Sequence, residues 1–222
     1  MFKRIRNMGM ITSLDMAIPD PETPSGKINW RILLEHVLPY VDIFVPSIDE
    51  LLYMWNREDY QQWNNGGIKL TLSWLSNLSQ ELIENGANIV MIKLGNMGLF
   101  LKTSQLHNHH FLSTLDQKQW SLRTLFSPCF KTKVIGTTGT GDATIAGFLS
   151  QIVQGSSPEE AMNIATATGA SCVEARDATS GINSIYEIRK RINRGWEKQL
   201  SLLSTKEWQW LPEHQLWEQL KV

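Results

Sequence analysis

The sequence is poor in cysteine and contains no long apolar run. Its 222 residues include two cysteines, Cys129 and Cys172. Two are too few for a disulfide framework, and they lack metal-ligand spacing, so we expect both to be reduced and structural. No stretch approaches the roughly 20 apolar residues of a membrane span, and the first ten residues lack the apolar run of a secretory signal. These absences favour a cytoplasmic protein with no membrane partner.

The sequence also has no excess of either positive or negative charge. The 21 Lys plus Arg against 22 Asp plus Glu give a formal net charge of −1. Such a chain has no overall electrostatic field to attract nucleic acid, so we expect no nucleic-acid partner. Any anionic ligand would have to be bound by a local group of hydrogen-bond donors or cations. The 42% of hydrophobic residues can form a core, which argues against a disordered chain.

Strand and helix patterns alternate along the chain. Short apolar runs predict buried strands over 10–14, 42–45 and 89–94, with a hairpin arm over 99–102. Helical spacing and end signals predict helices over 28–41, 47–55, 70–85, 139–154 and 158–174. This alternation predicts an α/β fold with a mostly parallel sheet covered on both faces.

The last 27 residues differ in composition from the rest of the chain. Residues 196–222 hold four of the nine tryptophans. We predict a Trp-rich C-terminal appendage over this range. It either docks on the domain by aromatic burial or presents a partner-binding surface.

The segment with the clearest chemistry runs through glycines into a helix start. Gly139, Thr140 and Gly141 stand at this junction, and Asp142 lies in the first helical turn. Glycines let backbone N–H groups approach a ligand, and a helix start presents unpaired donors, so together they form an anion site. A carboxylate there can accept a proton from a hydroxyl held near a phosphate. The alternative is an ordinary glycine-rich turn with an Asp favoured by the helix dipole.

Two familiar phosphate motifs do not fit these residues. The P-loop pattern requires a Lys after the glycines, where Asp142 stands. The dinucleotide pattern meets Thr144 at its third glycine position and lacks the ribose-binding acid at a strand end. A Rossmann oxidoreductase is therefore a disfavoured alternative.

Four segments in order carry a resemblance to a known family. The run Gly139-Thr140-Gly141-Asp142 resembles the G-A-G-D signature of the ribokinase-like (PfkB) carbohydrate kinases. Residues 45–50 resemble the family's P-N-x-x-E element, 93–98 its strand-turn nucleotide element, and 161–165 the Asn-bearing helix of its adenine pocket. The resemblance implies a ribokinase-like three-layer α/β/α sandwich that uses ATP and Mg²⁺.

The resemblance also implies roles for the residues of the signature. Asp142 would be the base that deprotonates the acceptor hydroxyl, and Gly139, Thr140 and Gly141 would bind the transferring phosphoryl group through their backbone N–H groups. Glu50 would act near Mg²⁺ and its water shell. Since Ser47-x-x-Glu50 also fits a capping box, Glu50 has a compatible structural interpretation.

The nucleotide-binding roles fall on five positions. Lys93, Gly95 and Gly98 would lie under the nucleotide, Asn163 near the adenine, and Gly181 in a loop over 178–181 that closes on the nucleotide. Lys93 is alternatively a charged end to a strand, and Asn163 a polar residue on an otherwise apolar helix face.

The resemblance covers only the C-terminal portion of the family's domain. The family's di-glycine element, sugar-binding aspartate and lid strands have no counterpart in the sequence, so residues 1–195 resemble a partial kinase domain, apparently truncated at the N-terminus. We expect ATP-dependent phosphoryl transfer to a hydroxyl of a sugar or related small molecule, or alternatively a non-catalytic nucleotide-binding remnant. A truncated sheet would expose an edge, which predicts self-association.

Overall fold

The structure is a computed structural model that describes residues 1–106, 115–199 and 207–220. The strands are β1 (Ser13–Leu14), β2 (Ile43–Phe44), β3 (Ile89–Lys93), β4 (Leu99–Thr103), β5 (Thr124–Ser127), β6 (Trp208–Leu211) and β7 (Leu216–Gln219). The helices are α1 (Phe2–Asn7), α2 (Trp30–Val37), α3 (Ile48–Trp55), α4 (Arg57–Asn64), α5 (Leu72–Glu84), α6 (Gln117–Trp120), α7 (Thr140–Gln154), α8 (Pro158–Cys172) and α9 (Ile185–Asn193). None of these helices is long and apolar enough to cross a bilayer.

All seven strands belong to one mixed sheet in the order β1-β2-β3-β4-β5-β7-β6. The pairs β1–β2 and β2–β3 are parallel. The other four pairs are antiparallel. The α/β class is confirmed, but the prediction of a mostly parallel sheet is wrong.

Short connections explain the antiparallel part. Five residues, which include a 3-10 turn over Gly95–Met97, separate β3 from β4, and four residues separate β6 from β7. Such links can join only antiparallel neighbours, since a parallel pair needs a crossover of a dozen or more residues. The alternation of strand and helix that predicted a parallel sheet holds only as far as β3.

The sheet is covered on both faces, because successive strand residues point to opposite sides. Phe44, Val90 and Phe100 pack with α2, α3 and α5 in one apolar core. Ile43 and Met91 pack with α7 and α8 in a second core on the other face. The molecule therefore has three layers, as the resemblance implies.

Helices α7 and α8 approach each other closely. A Cβ on Gly147 would lie 2.7 Å from Thr168 Oγ1 and 3.1 Å from Ala165 Cα. A glycine at this position lets the two helix backbones come close together.

The C-terminal region contributes the last two strands of the sheet. Strand β7 pairs with β5, and Trp208 is buried against Phe100 with 6.0 Å between ring centroids. Trp196 is buried against Phe130, whereas Trp210 is 37% exposed. Burial of Trp196 and Trp208 is what the docking hypothesis predicts, and the boundary at residue 195 stays a prediction.

Candidate active site

The carboxyl ends of the three parallel strands meet at one edge of the sheet. Asp15 follows β1, Ser47 follows β2 and Lys93 ends β3. Lys93 N–H donates to the Pro46 carbonyl at 2.9 Å, which extends the parallel pairing of β2 and β3 by one bridge. The Lys93 ammonium donates to Asp15 Oδ1 at 2.8 Å. This is the edge at which open α/β sheets place their ligands.

The start of α7 presents free backbone donors. Thr140 N–H donates weakly to the Thr137 carbonyl at 3.3 Å. The N–H groups of Gly141 and Asp142 have no acceptor among the residues that the structure describes. Since α7 is 15 residues long, its dipole adds positive potential where these two donors stand.

Lys93 brings a cation to the same place. A Cβ on Gly141 would lie 3.7 Å from Lys93 Nζ, so the ammonium borders the first turn of α7. Two free N–H groups and an ammonium are the kinds of group that bind an anion, so this place is the candidate anion site.

Glu50 forms the capping box that its spacing predicts. Ser47 Oγ accepts from Glu50 N–H at 3.3 Å, and Glu50 Oε2 accepts from Ser47 N–H at 2.6 Å. This pair starts α3 at the carboxyl edge and orients the Glu50 carboxylate beside the anion site.

A cavity of about 580 Å³ joins these groups, which is within the usual size of a ligand pocket. Among the predicted site residues, those that line it are Glu50, Lys93, Gly95, Gly98, Thr140 and Gly141. Its apolar lining comes from Leu99, Phe130, Val134, Ala170 and Val173. The cavity lining therefore combines charged groups with apolar side chains.

Asp142 and Gly139 lie beside the cavity and not in its lining. Asp142 is exposed in the first turn of α7. Gly139 has φ +76°, and a Cβ there would lie 2.5 Å from the Cβ of Ala178. The glycine therefore lets the loop over 178–181 pack against the helix start.

Asn163 and Gly181 lie apart from the cavity lining. The Asn163 amide nitrogen donates to the His214 carbonyl at 2.8 Å, and its oxygen accepts from Lys198 Nζ at 2.6 Å. Gly181 packs against the carbonyls of Ser171 and Cys172. Neither residue presents a free group to the cavity.

Both cysteines are free thiols. Burial raises the pKa of the Cys129 thiol to about 11, although the nearby Lys198 lowers it. Burial also raises the pKa of Cys172. Both stay protonated at neutral pH, so neither supplies a nucleophile.

A family model described as pfkB family carbohydrate kinase matches residues 1–185. The chain belongs to the PfkB family. The match covers most of the chain and includes every site residue that the sequence predicts. The dinucleotide-binding alternative has no support from the fold, since residues 131–139, which lead into α7, form no strand.

Other comparisons give one relative by sequence and several solved structures with the same fold. The chain is 27% identical to an uncharacterized sugar kinase of Archaeoglobus fulgidus over 180 residues, which are 81% of this chain and 56% of the relative. A structure described as ribokinase II from E. coli, solved in one form with ATP and Mg²⁺, superposes with a TM-score of 0.61 at 19% identity, over 87% of this chain and 52% of that one. The ribokinase of Thermotoga maritima gives 0.55 at 23% identity, over 86% and 52%. The chain thus spans about half the length of these PfkB relatives.

The donor groups fit a magnesium ion held mainly by a nucleotide. Among the described residues, no three His, Cys, Asp or Glu side chains converge on one point. Asp49 and Glu50 nevertheless line the cavity together. Mg²⁺ in phosphoryl-transfer sites takes one or two carboxylates and fills its other positions with phosphates and water, so this pair is sufficient.

Three residues named above, Asp15, Asp49 and Lys198, were not predicted as site residues from the sequence. Asp15 becomes visible only when the ends of the parallel strands are aligned, because its partner Lys93 is 78 positions away. Lys198 lies in the Trp-rich region and carries no motif. Aligning the carboxyl ends of the predicted parallel strands could have identified Asp15, whereas no local pattern indicates Lys198.

Proposed function

We propose that the chain binds ATP at the start of α7 and transfers its terminal phosphoryl group to a hydroxyl of a sugar or related small molecule. One observation carries the proposal: the free N–H group of Gly141 and the ammonium of Lys93 share a single cavity. Membership of the PfkB family supports the same reaction class.

The polar groups at the start of α7 suit phosphoryl transfer. This reaction needs positioning and stabilisation of negative charge more than covalent chemistry by the protein. The N–H groups of Gly141 and Asp142 and the Lys93 ammonium offer three positive groups to the phosphoryl oxygens. Asp142 stands one residue beyond Gly141, where its carboxylate would accept the proton of an acceptor hydroxyl.

Asp49 and Glu50 would hold the magnesium ion, in part through water. When bound, the ion would neutralise phosphate charge. The Ser47 N–H group occupies one Glu50 oxygen at 2.6 Å, which leaves the other available. Asp49 accepts from Trp63 Nε1 at 2.8 Å, so its carboxylate is also fixed in orientation.

Nucleotide binding without transfer is the second candidate. It is favoured by the position of Asp142, which lies beside the cavity and does not line it. A chain of this kind would retain the anion site and hold ATP without turnover.

ADP production with a panel of sugars and nucleosides separates the two candidates. We expect turnover by the wild type and a loss of about 10²- to 10⁴-fold in Asp142→Asn. Equal turnover by both proteins would exclude Asp142 as the base. Thermal stabilisation by ATP without turnover on any acceptor supports the second candidate, and no nucleotide-dependent shift in Tm contradicts both.

A further inference from the structure

Residues 197–199, called the 197–199 segment below, pair with residues 129–131 beside the cavity. Lys131 N–H donates to the Glu197 carbonyl at 2.8 Å, and Gln199 N–H donates to the Cys129 carbonyl at 2.7 Å. Between these bonds, Lys198 and Phe130 form an antiparallel bridge. Cys129, Phe130 and Gln199 all line the cavity. The segment is therefore part of the cavity wall, although it lies beyond the residues that match the PfkB family.

The Lys198 side chain anchors this segment. It is 7% exposed, and its ammonium donates to Ser127 Oγ and Asn163 Oδ1, both at 2.6 Å. Its Nζ also lies 4.8 Å from the centroid of the Phe130 ring. Two hydrogen bonds and an aromatic face fix the lysine, and with it the backbone on either side.

Trp196 adds a second anchor just before the segment. Its ring lies 4.6 Å from that of Phe130, and its Nε1 donates to the Lys131 carbonyl at 2.7 Å. Gln199 is the exposed residue next to this fixed framework.

The apolar side chains of the cavity suit a flat base better than a sugar. Sugar hydroxyls need polar partners, whereas a nucleobase can bury its faces against side chains such as Phe130 and Val173. Gln199 is bonded through its backbone to Cys129, the neighbour of Phe130, and lines the same cavity. A carboxamide offers one donor and one acceptor group, which pair in a bidentate manner with an adenine edge.

We propose that the 197–199 segment recognises the nucleobase: the Gln199 carboxamide hydrogen-bonds the adenine of ATP, and Lys198 positions the segment. This inference rests on the nucleotide-dependent function proposed above, whose phosphate-binding groups line the same cavity.

Calorimetric titration with ATP and with inorganic tripolyphosphate tests the proposal. We expect Gln199→Leu to bind ATP about tenfold more weakly and tripolyphosphate unchanged, because only the base contact is lost. Gln209→Leu is the matched control, since it makes the same change at an exposed position on β6 that does not line the cavity; it should bind both ligands as the wild type does. Lys198→Met should reproduce the selective loss of ATP affinity, and thermal unfolding would show that it is folded.

Unchanged ATP affinity in Gln199→Leu would overturn base recognition by Gln199 and leave the proposed function intact. Equal weakening of ATP and tripolyphosphate in that variant would also overturn it, because the effect would then be a general distortion of the cavity. A wild-type protein that binds neither ligand would instead contradict the proposed function itself.

Discussion

Gly139 and Gly141 stand two residues apart in one loop, but an added methyl group would meet different surroundings at each. Gly139 has a left-handed φ of +76° and packs against Ala178, so its lack of a side chain serves the fold. Gly141 lies in the first turn of α7, and a Cβ there would meet only Lys93, at ordinary contact distance. The missing side chain at Gly141 leaves room for a ligand.

Alanine substitutions should separate these two roles. Gly141→Ala should keep or raise the free energy of unfolding, by up to about 1 kcal/mol, because alanine favours a helix. It should weaken ATP binding at least tenfold, because the methyl group occupies the space in front of the free N–H groups. Gly139→Ala should lower the free energy of unfolding by about 1–3 kcal/mol. Urea unfolding and calorimetric titration measure both effects; ATP affinity unchanged in Gly141→Ala would show that the phosphates bind elsewhere.

Lys198 should make stability depend on pH. Burial lowers the pKa of this lysine from its ordinary 10.5 to about 7. At a pH between these two pKa values, Lys198 is protonated in the unfolded chain and has lost its proton in the folded chain. The free energy of unfolding should therefore rise from pH 7 to pH 9. The slope is on the order of 1 kcal/mol per pH unit.

Urea unfolding at pH 7, 8 and 9 measures this slope. Lys198→Met should abolish the rise, whereas equal slopes in the two proteins would show that another group causes it. Above pH 9 the Cys129 thiol, whose pKa burial raises to about 11, keeps its proton when folded and loses it when unfolded. Its contribution should therefore oppose that of Lys198 in that range.

At the scale of elements, the sequence predicts helix starts well and the sheet less well. Ser47, Thr71 and Ser157 each accept a hydrogen bond from the first helical turn, and such caps are local signals. Helix α4 escaped prediction because none of its residues is buried, which leaves no apolar stripe to detect. The antiparallel pairing of β5 with β7 joins residues about 90 positions apart, and no local pattern encodes it.

The packing of α7 on α8 gives a prediction about Gly147. Gly147→Ala should lower the free energy of unfolding by about 1–3 kcal/mol, because the new methyl group would overlap Thr168 and Ala165. Gly141→Ala is the control, since it makes the same change in the same helix without overlap. Chemical denaturation compares the two; equal stability would mean that the helices can separate at little cost.

At the scale of the whole molecule, the open sheet has two edge strands among the residues described, β1 and β6. Strand β1 pairs only with β2, and the preceding residues Met8, Met10 and Ile11 are exposed apolar side chains. An unpaired edge beside apolar side chains favours pairing with another chain. The family resemblance predicted such an edge, whereas the sequence alone could not show which strand would form it.

We expect the protein to self-associate through this edge. Ile11→Lys should shift the population toward monomer, because a charge next to the edge opposes pairing. Val153→Lys, at an exposed position on α7, should leave the association unchanged. Light scattering over a range of concentrations measures the mass, and a wild-type protein that stays monomeric throughout would contradict this expectation.

The cavity wall formed by the 197–199 segment is synthesised after the other residues that line the cavity. A ribosome adds about 5–20 residues per second, so Gln199 emerges on the order of ten seconds after Glu50. During that interval the ribosome makes Lys93, the start of α7 and the apolar residues that line the cavity, and Gln199 joins them last. The cavity is therefore completed only after α7, α8 and α9 have been made.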